Sequence, residues 1–216
     1  MCGIVGFQSF RHFNTLKDML PHATLCLNHR GPDSSGTYFD PDAGVGLGHA
    51  RLSIIDLSSA GHQPMISDDG DVIIIYNGEI FNFIEIRKIL EKLGHSFKSA
   101  TDTEVVLKAY LEWGTGCLEK FIGMFAISIW DRHNHRFFLA RDRLGIKPLF
   151  WAEVDGGVAF ASEIPALLRH TGVRRDLDFE AVRGVLDDHK FITGIRDEID
   201  RTGQKAAELK ELLQGL

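Results

Sequence analysis

The chain has 216 residues, 44% hydrophobic and 25% charged, which suits one large folded domain or two small ones with a buried core. Asp and Glu (30) outnumber Lys and Arg (24), and the net charge of −6 argues against nucleic acid or an anionic membrane as the main partner, because phosphate binding rests on clustered positive charge. No apolar run reaches the ~18 residues of a membrane span, the first residues lack the charged and apolar regions of a signal peptide, and three cysteines (Cys2, Cys26, Cys117) are too few and too scattered for a disulfide framework or a metal site. A cytoplasmic protein is expected.

In chain order, the first predicted element is a strand at 4–7, followed by a helix over 15–27 that Pro21 interrupts. Strands follow at 45–55 and 72–76. A helix over 83–93 places Ile86, Ile89, Leu90 and Leu93 on one face and stops at Gly94. Another over 102–113 has Thr101 or Asp102 as its cap and Val105, Val106, Ala109 and Tyr110 at core spacing. Four short strands close the series, at 124–130, 136–140, 149–154 and 158–161, with Asp155-Gly156-Gly157 as a hairpin turn. Closely spaced short strands favour antiparallel pairing. The expected fold class is therefore α+β, with two packed sheets and helices outside them.

A further helix is predicted over 179–187, and the last stretch changes character. Ile195, Ile199, Thr202, Ala206, Leu209, Leu213 and Leu216 recur at alternating spacings of four and three, with charged residues between them. This reads as a terminal amphipathic helix packed on its own domain, or as a docking helix through which the chain forms a homo-oligomer. Thr202 and Gly203 weaken such a seam. The expected division is a domain over 1–190 and a charged helical tail over 191–216.

Four places carry possible chemistry. If Met1 is trimmed, Cys2 becomes the first residue, and its α-amine, with a reference pKa of ~7.7–8.0, can take the proton of its own thiol. The plainer reading of Cys2 is a small core residue. Arg51 ends the apolar stretch Gly48-His49-Ala50-Arg51 and can fork onto a carboxylate, either in a structural ion pair or on a ligand. Tyr76-Asn77-Gly78-Glu79 reads first as a turn, yet the Asn77 amide and the Gly78 N–H also make a donor pair for a developing oxyanion, with Glu79 beside them for an ammonium. Asp102 is a helix cap or a second acceptor for that ammonium. Each bland reading prevails singly. Together the residues describe a site for a free α-amino acid with a cleavable side-chain amide, which is glutamine.

Longer stretches agree: MCGIVGF at 1–7, NHRGPDSSG at 28–36, LGHARLSIIDLSSAGHQPM at 47–65, YNGEIFN at 76–82, TDTEVVLKAYLEWG at 101–114, GMFAISIWD at 123–131, ARDRLGIKPLF at 140–150 and FASEIPALL at 160–168. On these motifs the chain resembles the glutaminase domain of the class II glutamine amidotransferases, in the asparagine synthetase branch. The likeness runs from Met1 to about Leu186. It implies a four-layer αββα sandwich of the N-terminal nucleophile hydrolase kind and glutamine hydrolysis through a thioester on Cys2. It also implies that Arg51 holds the α-carboxylate with backbone groups of Ser53, Ile54 and Ile55, that Asn77 and Gly78 form the oxyanion hole, and that Glu79 and Asp102 hold the α-amino group. The loop His29-Arg30-Gly31-Pro32-Asp33 is expected to close over the site.

The resemblance further implies that the ammonia amidates an aspartate activated with ATP. The SGGxDS pyrophosphate loop of the synthetase half does not occur in this sequence. No cofactor is therefore expected in this chain, with ATP and magnesium needed only where a synthetase domain or subunit joins it. No metal site is expected, since the ten histidines are not at ligand spacing. A non-catalytic module that keeps the fold to sense glutamine or bind a partner is the alternative reading.

Overall fold

The computed structural model describes residues 1–9, 13–176 and 179. Its strands are β1 (Gly3–Ser9), β2 (Ser34–Asp40), β3 (Val45–Arg51), β4 (Met65–Ile66), β5 (Val72–Ile80), β6 (Gly123–Asp131), β7 (Arg136–Arg141), β8 (Phe150–Val154) and β9 (Gly157–Ala161). Its α-helices are α1 (Phe13–Leu25), α2 (Phe83–Lys92), α3 (Asp102–Trp113) and α4 (Ile164–Leu167). The strands form a five-stranded sheet in the order β2-β3-β1-β9-β8 and a four-stranded sheet in the order β4-β5-β6-β7. All pairings are antiparallel.

Strand β5 explains the layering. Ile73, Ile74 and Ile75 are successive and all 0% exposed, so both faces of the sheet are covered. Ile73 and Ile75 pack with Ile4, Val45, Leu47 and Phe160 of the other sheet. Ile74 and Tyr76 pack the opposite way, with Ile86 and Leu90 of α2 and Val105, Val106 and Ala109 of α3. On the far side, Val5 and Phe7 of β1 meet Leu16, Leu20 and Ala23 of α1 and Ala166 and Leu167 of α4. The result is the αββα order of helices, sheet, sheet and helices. Burying each large aliphatic side chain contributes roughly 1.5–3 kcal/mol. At Gly48 of β3 an added Cβ would lie 2.2 Å from Thr24 Oγ1, so α1 sits directly on the strand backbone. All these elements belong to one unit, Met1–Val173, and residues from Arg174 onward to a second, of which 174–176 and 179 are described.

Several local expectations are corrected. The strand expected over 45–55 ends at Arg51, where the chain leaves the sheet and turns its Asp56 and Ser58 carbonyls back onto the Arg51 guanidinium. Asn77-Gly78 is no turn: both residues continue β5, opposite Ala126 and Phe125. The hairpin turn is Asp155-Gly156, with Gly156 at φ +81°, and Gly157 already opposes Ser9 within β9. β7 and β8 follow each other in sequence but lie in different sheets. On α2 only Ile86 and Leu90 are buried, whereas Ile89 and Leu93 are 49% and 53% exposed, so the apolar stripe is narrower than its spacing implies. Helix α1 runs through Pro21, its lost hydrogen bond offset by the packing of Leu16, Leu20 and Ala23. Of the helix expected over 179–187 only Phe179 is described, and the tail at 191–216 lies outside the described residues. Among the described residues no helix is long and apolar enough to cross a membrane.

Candidate active site

Cys2 immediately precedes β1, the middle strand of the five-stranded sheet. Its sulfur accepts from the Leu52 N–H at 3.4 Å, and the thiol is 3.6 Å from the Leu52 carbonyl. Its own carbonyl accepts from Arg30 Nε at 3.0 Å, and Arg30 Nη1 pairs with Glu163 Oε1 at 2.9 Å. His29 Nε2 lies 3.0 Å from the same oxygen. Two residues on, Ile4 N–H donates to Ser162 Oγ. The nucleophile candidate is thus clamped through its main chain. Burial pushes the Cys2 thiol pKa up, against the opposing pull of the Leu52 hydrogen bond and the positive charges of the amino terminus and Arg51. A resting thiolate is disfavoured.

Arg51 closes β3 and is 7% exposed. Its Nη1 donates to the Ser58 carbonyl at 3.0 Å and its Nη2 to the Asp56 carbonyl. Gly61 admits the guanidinium, because a Cβ there would fall 2.1 Å from Nη2. Among the described residues Arg51 forms no ion pair with a carboxylate. The neighbouring Asp56 carboxylate is engaged elsewhere, accepting from Ser58 N–H at 2.8 Å and Ala100 N–H at 3.0 Å. A hydrogen bond from the Ser58 hydroxyl, with those from the Ala100 and Ser58 backbone, holds its pKa down to about 2. Ser53 N–H is also committed, to Asp33 Oδ2 at 2.7 Å. The backbone contribution expected of Ser53 therefore competes with Asp33, while Ile54 and Ile55 line the cavity without that constraint.

On the four-stranded sheet, Asn77 is 1% exposed and its Nδ2 has no hydrogen-bond partner. Buried donors are nearly always satisfied, which sets this nitrogen apart from most of the buried polar atoms around it. Gly78 follows, where a Cβ would lie 2.6 Å from both the Met124 carbonyl and the Tyr76 ring. The sequence question at α3 is resolved: Thr101 is the cap, its side chain accepting from Glu104 N–H at 3.2 Å. Asp102 instead turns to β5, where its Oδ2 accepts from Tyr76 O–H at 2.8 Å and Ile80 N–H at 3.1 Å. Burial raises the Asp102 pKa, with these hydrogen bonds working the other way. Gln63 ties the two elements together, donating to Thr103 Oγ1 at 3.1 Å and accepting from Tyr76 N–H at 2.6 Å.

Cys2, Arg51, Ser53, Ile54, Ile55, Asn77, Gly78, Glu79 and Asp102, separated by up to a hundred positions in sequence, line one cavity of about 120 Å³. Gln63, Tyr76, Thr103 and Lys147 line it as well and were not singled out from sequence. The arrangement can bind a small zwitterion, with a guanidinium for its carboxylate, two acids for its ammonium, and a thiol beside an unpaired amide donor. The sequence profile of the glutamine amidotransferase domain matches residues 1–199.

The chain belongs to that family. Asparagine synthetase [glutamine-hydrolyzing] 3 of Bacillus subtilis (strain 168) is 39% identical over 181 residues, which is 82% of this chain and 29% of that protein. Asparagine synthetase [glutamine-hydrolyzing] 1 of the same organism is 41% identical over 171 residues, 78% of this chain and 27% of the relative. The putative asparagine synthetase [glutamine-hydrolyzing] 2 of Methanocaldococcus jannaschii is 38% identical over 184 residues, 78% of this chain and 35% of the relative. Among solved structures, glutamine phosphoribosylpyrophosphate amidotransferase from B. subtilis, complexed with ADP and GMP, superposes with a TM-score of 0.62 at 20% identity, over 76% of this chain and 42% of that one. It shares the fold. This glutamine amidotransferase domain, homologous to those of asparagine synthetases, spans between 27% and 35% of the relatives named here.

Proposed function

We propose that this amidotransferase domain hydrolyses the side-chain amide of glutamine on Cys2 and passes the ammonia to a synthetase domain or subunit that amidates an ATP-activated carboxylate such as aspartate. The unpartnered Asn77 Nδ2, buried in the same cavity as the Cys2 thiol, carries this reading. The thiol gives its proton to the Cys2 α-amine, freed by loss of Met1, as sulfur bonds the amide carbon and the carbonyl electron pair moves onto oxygen. Asn77 and Gly78 hold that oxyanion. Collapse restores the carbonyl, breaks the C–N bond and returns the amine's proton to the leaving nitrogen. Water then adds to the thioester, the C–S bond breaks, and glutamate and the thiol are regenerated.

Arg51 and the pair Glu79 and Asp102 fix the far end of the substrate through its α-carboxylate and α-ammonium. The partner half is supported by the short span relative to the asparagine synthetases and by exposed aliphatic side chains on the two loops that bring Ser53 and Lys147 to the cavity. There Ile54, Leu57, Leu144 and Ile146 are 75%, 80%, 85% and 55% exposed. ATP and magnesium would be needed only in that half.

The carboxylate contact exists in ground and transition states alike, so its loss falls on KM. Arg51→Ala is expected to raise the glutamine KM roughly 10- to 100-fold, the range of a charge-assisted hydrogen bond, with kcat within about threefold of the parent. Steady-state ammonia release against glutamine concentration reads both. Unchanged KM would remove Arg51 from the substrate site.

A further inference from the structure

Two lysines among the described residues are buried, and they differ. Lys108 is 6% exposed and pairs with Asp68 at 2.6 Å. Lys147 is also 6% exposed, lines the Cys2 cavity, and hydrogen-bonds only through its main chain: its N–H donates to Asp142 Oδ2 at 2.9 Å and its carbonyl accepts from Arg141 Nε at 2.7 Å. No described carboxylate lies within ion-pair distance of its ammonium. Lys147 thus brings to the cavity wall a positive charge that no described carboxylate neutralises, and an anion formed in the cavity would be drawn to it.

The fold ties the backbone of Lys147 to one end of the cavity. Asp142 Oδ2 accepts from Lys147 N–H and also from Phe125 N–H at 3.2 Å. Phe125 is the register partner of Gly78. The loop carrying Lys147 is therefore keyed to the strand position directly opposite Gly78, beside Asn77.

Charge counting then narrows the ligand. Under the reading above, on which this inference rests, glutamine brings one carboxylate, which Arg51 takes, and one ammonium, which Glu79 and Asp102 take. The amide end is neutral, and Lys147 is left over. We infer that Lys147 receives the negative charge that the reaction creates at that end: first the oxyanion of the tetrahedral intermediate, then the γ-carboxylate of glutamate. No new bond is involved. Lys147 discriminates product and intermediate from substrate by charge, and it makes the site hold glutamate more tightly than Asn77 and Gly78 alone would.

Calorimetric binding of L-glutamine and L-glutamate to the full chain carrying Cys2→Ala, at a pH where the γ-carboxylate is ionised, tests this without turnover. Adding Lys147→Met is expected to weaken glutamate binding about tenfold or more and to change glutamine binding less than about twofold, whereas Lys147→Arg keeps both. A structural role would weaken both ligands together. Lys147→Gln supplies the same comparison should Lys147→Met fail to fold. If both ligands bind and their affinity ratio is unaltered in Lys147→Met or Lys147→Gln, Lys147 is not an anion receptor, and the glutamine site stands. If glutamine does not bind the chain with Lys147 intact, the site reading falls and the inference falls with it.

Discussion

Replacing Cys2 with alanine is expected to reduce glutamine-dependent ammonia release by at least ~10⁴-fold, the scale seen when a covalent nucleophile is removed, while glutamine binding persists. The two effects separate because different side chains carry them. Arg51, held by the Ser58 and Asp56 carbonyls, and Asp102, held by Tyr76 and Ile80, are positioned independently of the thiol. Burial pushes the Cys2 thiol pKa up. The proposed mechanism accordingly assigns the thiol proton to Cys2's own α-amine, once Met1 is gone, as sulfur attacks. Met1 lines the same cavity, so its loss both frees the amine and clears space beside the sulfur. Loss of both activity and glutamine binding in Cys2→Ala would instead mark Cys2 as a structural residue.

Asn77→Ala is expected to lower kcat ~10²–10³-fold, the usual consequence of removing one oxyanion donor, with little change in KM. The physical basis is preorganisation. Asn77 sits within β5, and the Tyr76 beside it is fixed by Gln63 and Asp102. In the proposed mechanism the strand therefore holds the amide in place before substrate arrives, so little reorganisation is needed when charge appears on the carbonyl oxygen. An unpaired buried donor is a liability in the folded protein, typically ~1–3 kcal/mol. Removing it relieves that liability, so the melting temperature should hold or rise while turnover collapses, the signature of a residue kept for function rather than stability. Rate-limiting ammonia production that survives Asn77→Ala would place the oxyanion elsewhere.

The parts of this molecule legible in its sequence are those governed by local pattern. β5 announces itself by the apolar run at 72–76 and β6 by one that only Ser128 interrupts, and α3 by a cap candidate at Thr101 or Asp102 and periodic Val105, Val106 and Ala109. β2 was missed because Ser34–Asp40 mixes polar residues with small ones and is half-exposed at the sheet edge, so no alternation betrays it. β4 was missed because it is two residues long. Asn77-Gly78 misleads in the other direction: an Asn-Gly pair favours a turn locally, but here the glycine answers tertiary crowding against Met124 and Tyr76. The site divides the same way. Arg51, Asn77 and Asp102 stood out by residue type beside predicted elements, and the family resemblance joined them. Gln63 and Lys147 did not, because what each does depends on a partner brought near only by the fold, Tyr76 for Gln63 and Asp142 and Phe125 for the Lys147 loop; Arg30 stood out only as part of the closing loop, and its bond to the Cys2 carbonyl likewise depends on the fold.

A covalent intermediate on Cys2 is directly visible in the intact mass of chain rapidly quenched in acid during turnover of glutamine. The expected result is a γ-glutamyl adduct confined to molecules lacking Met1, located on the peptide that begins with Cys2, and absent from Cys2→Ala. Ammonia release from a chain that never carries the adduct, or an adduct that survives Cys2→Ala, would contradict it.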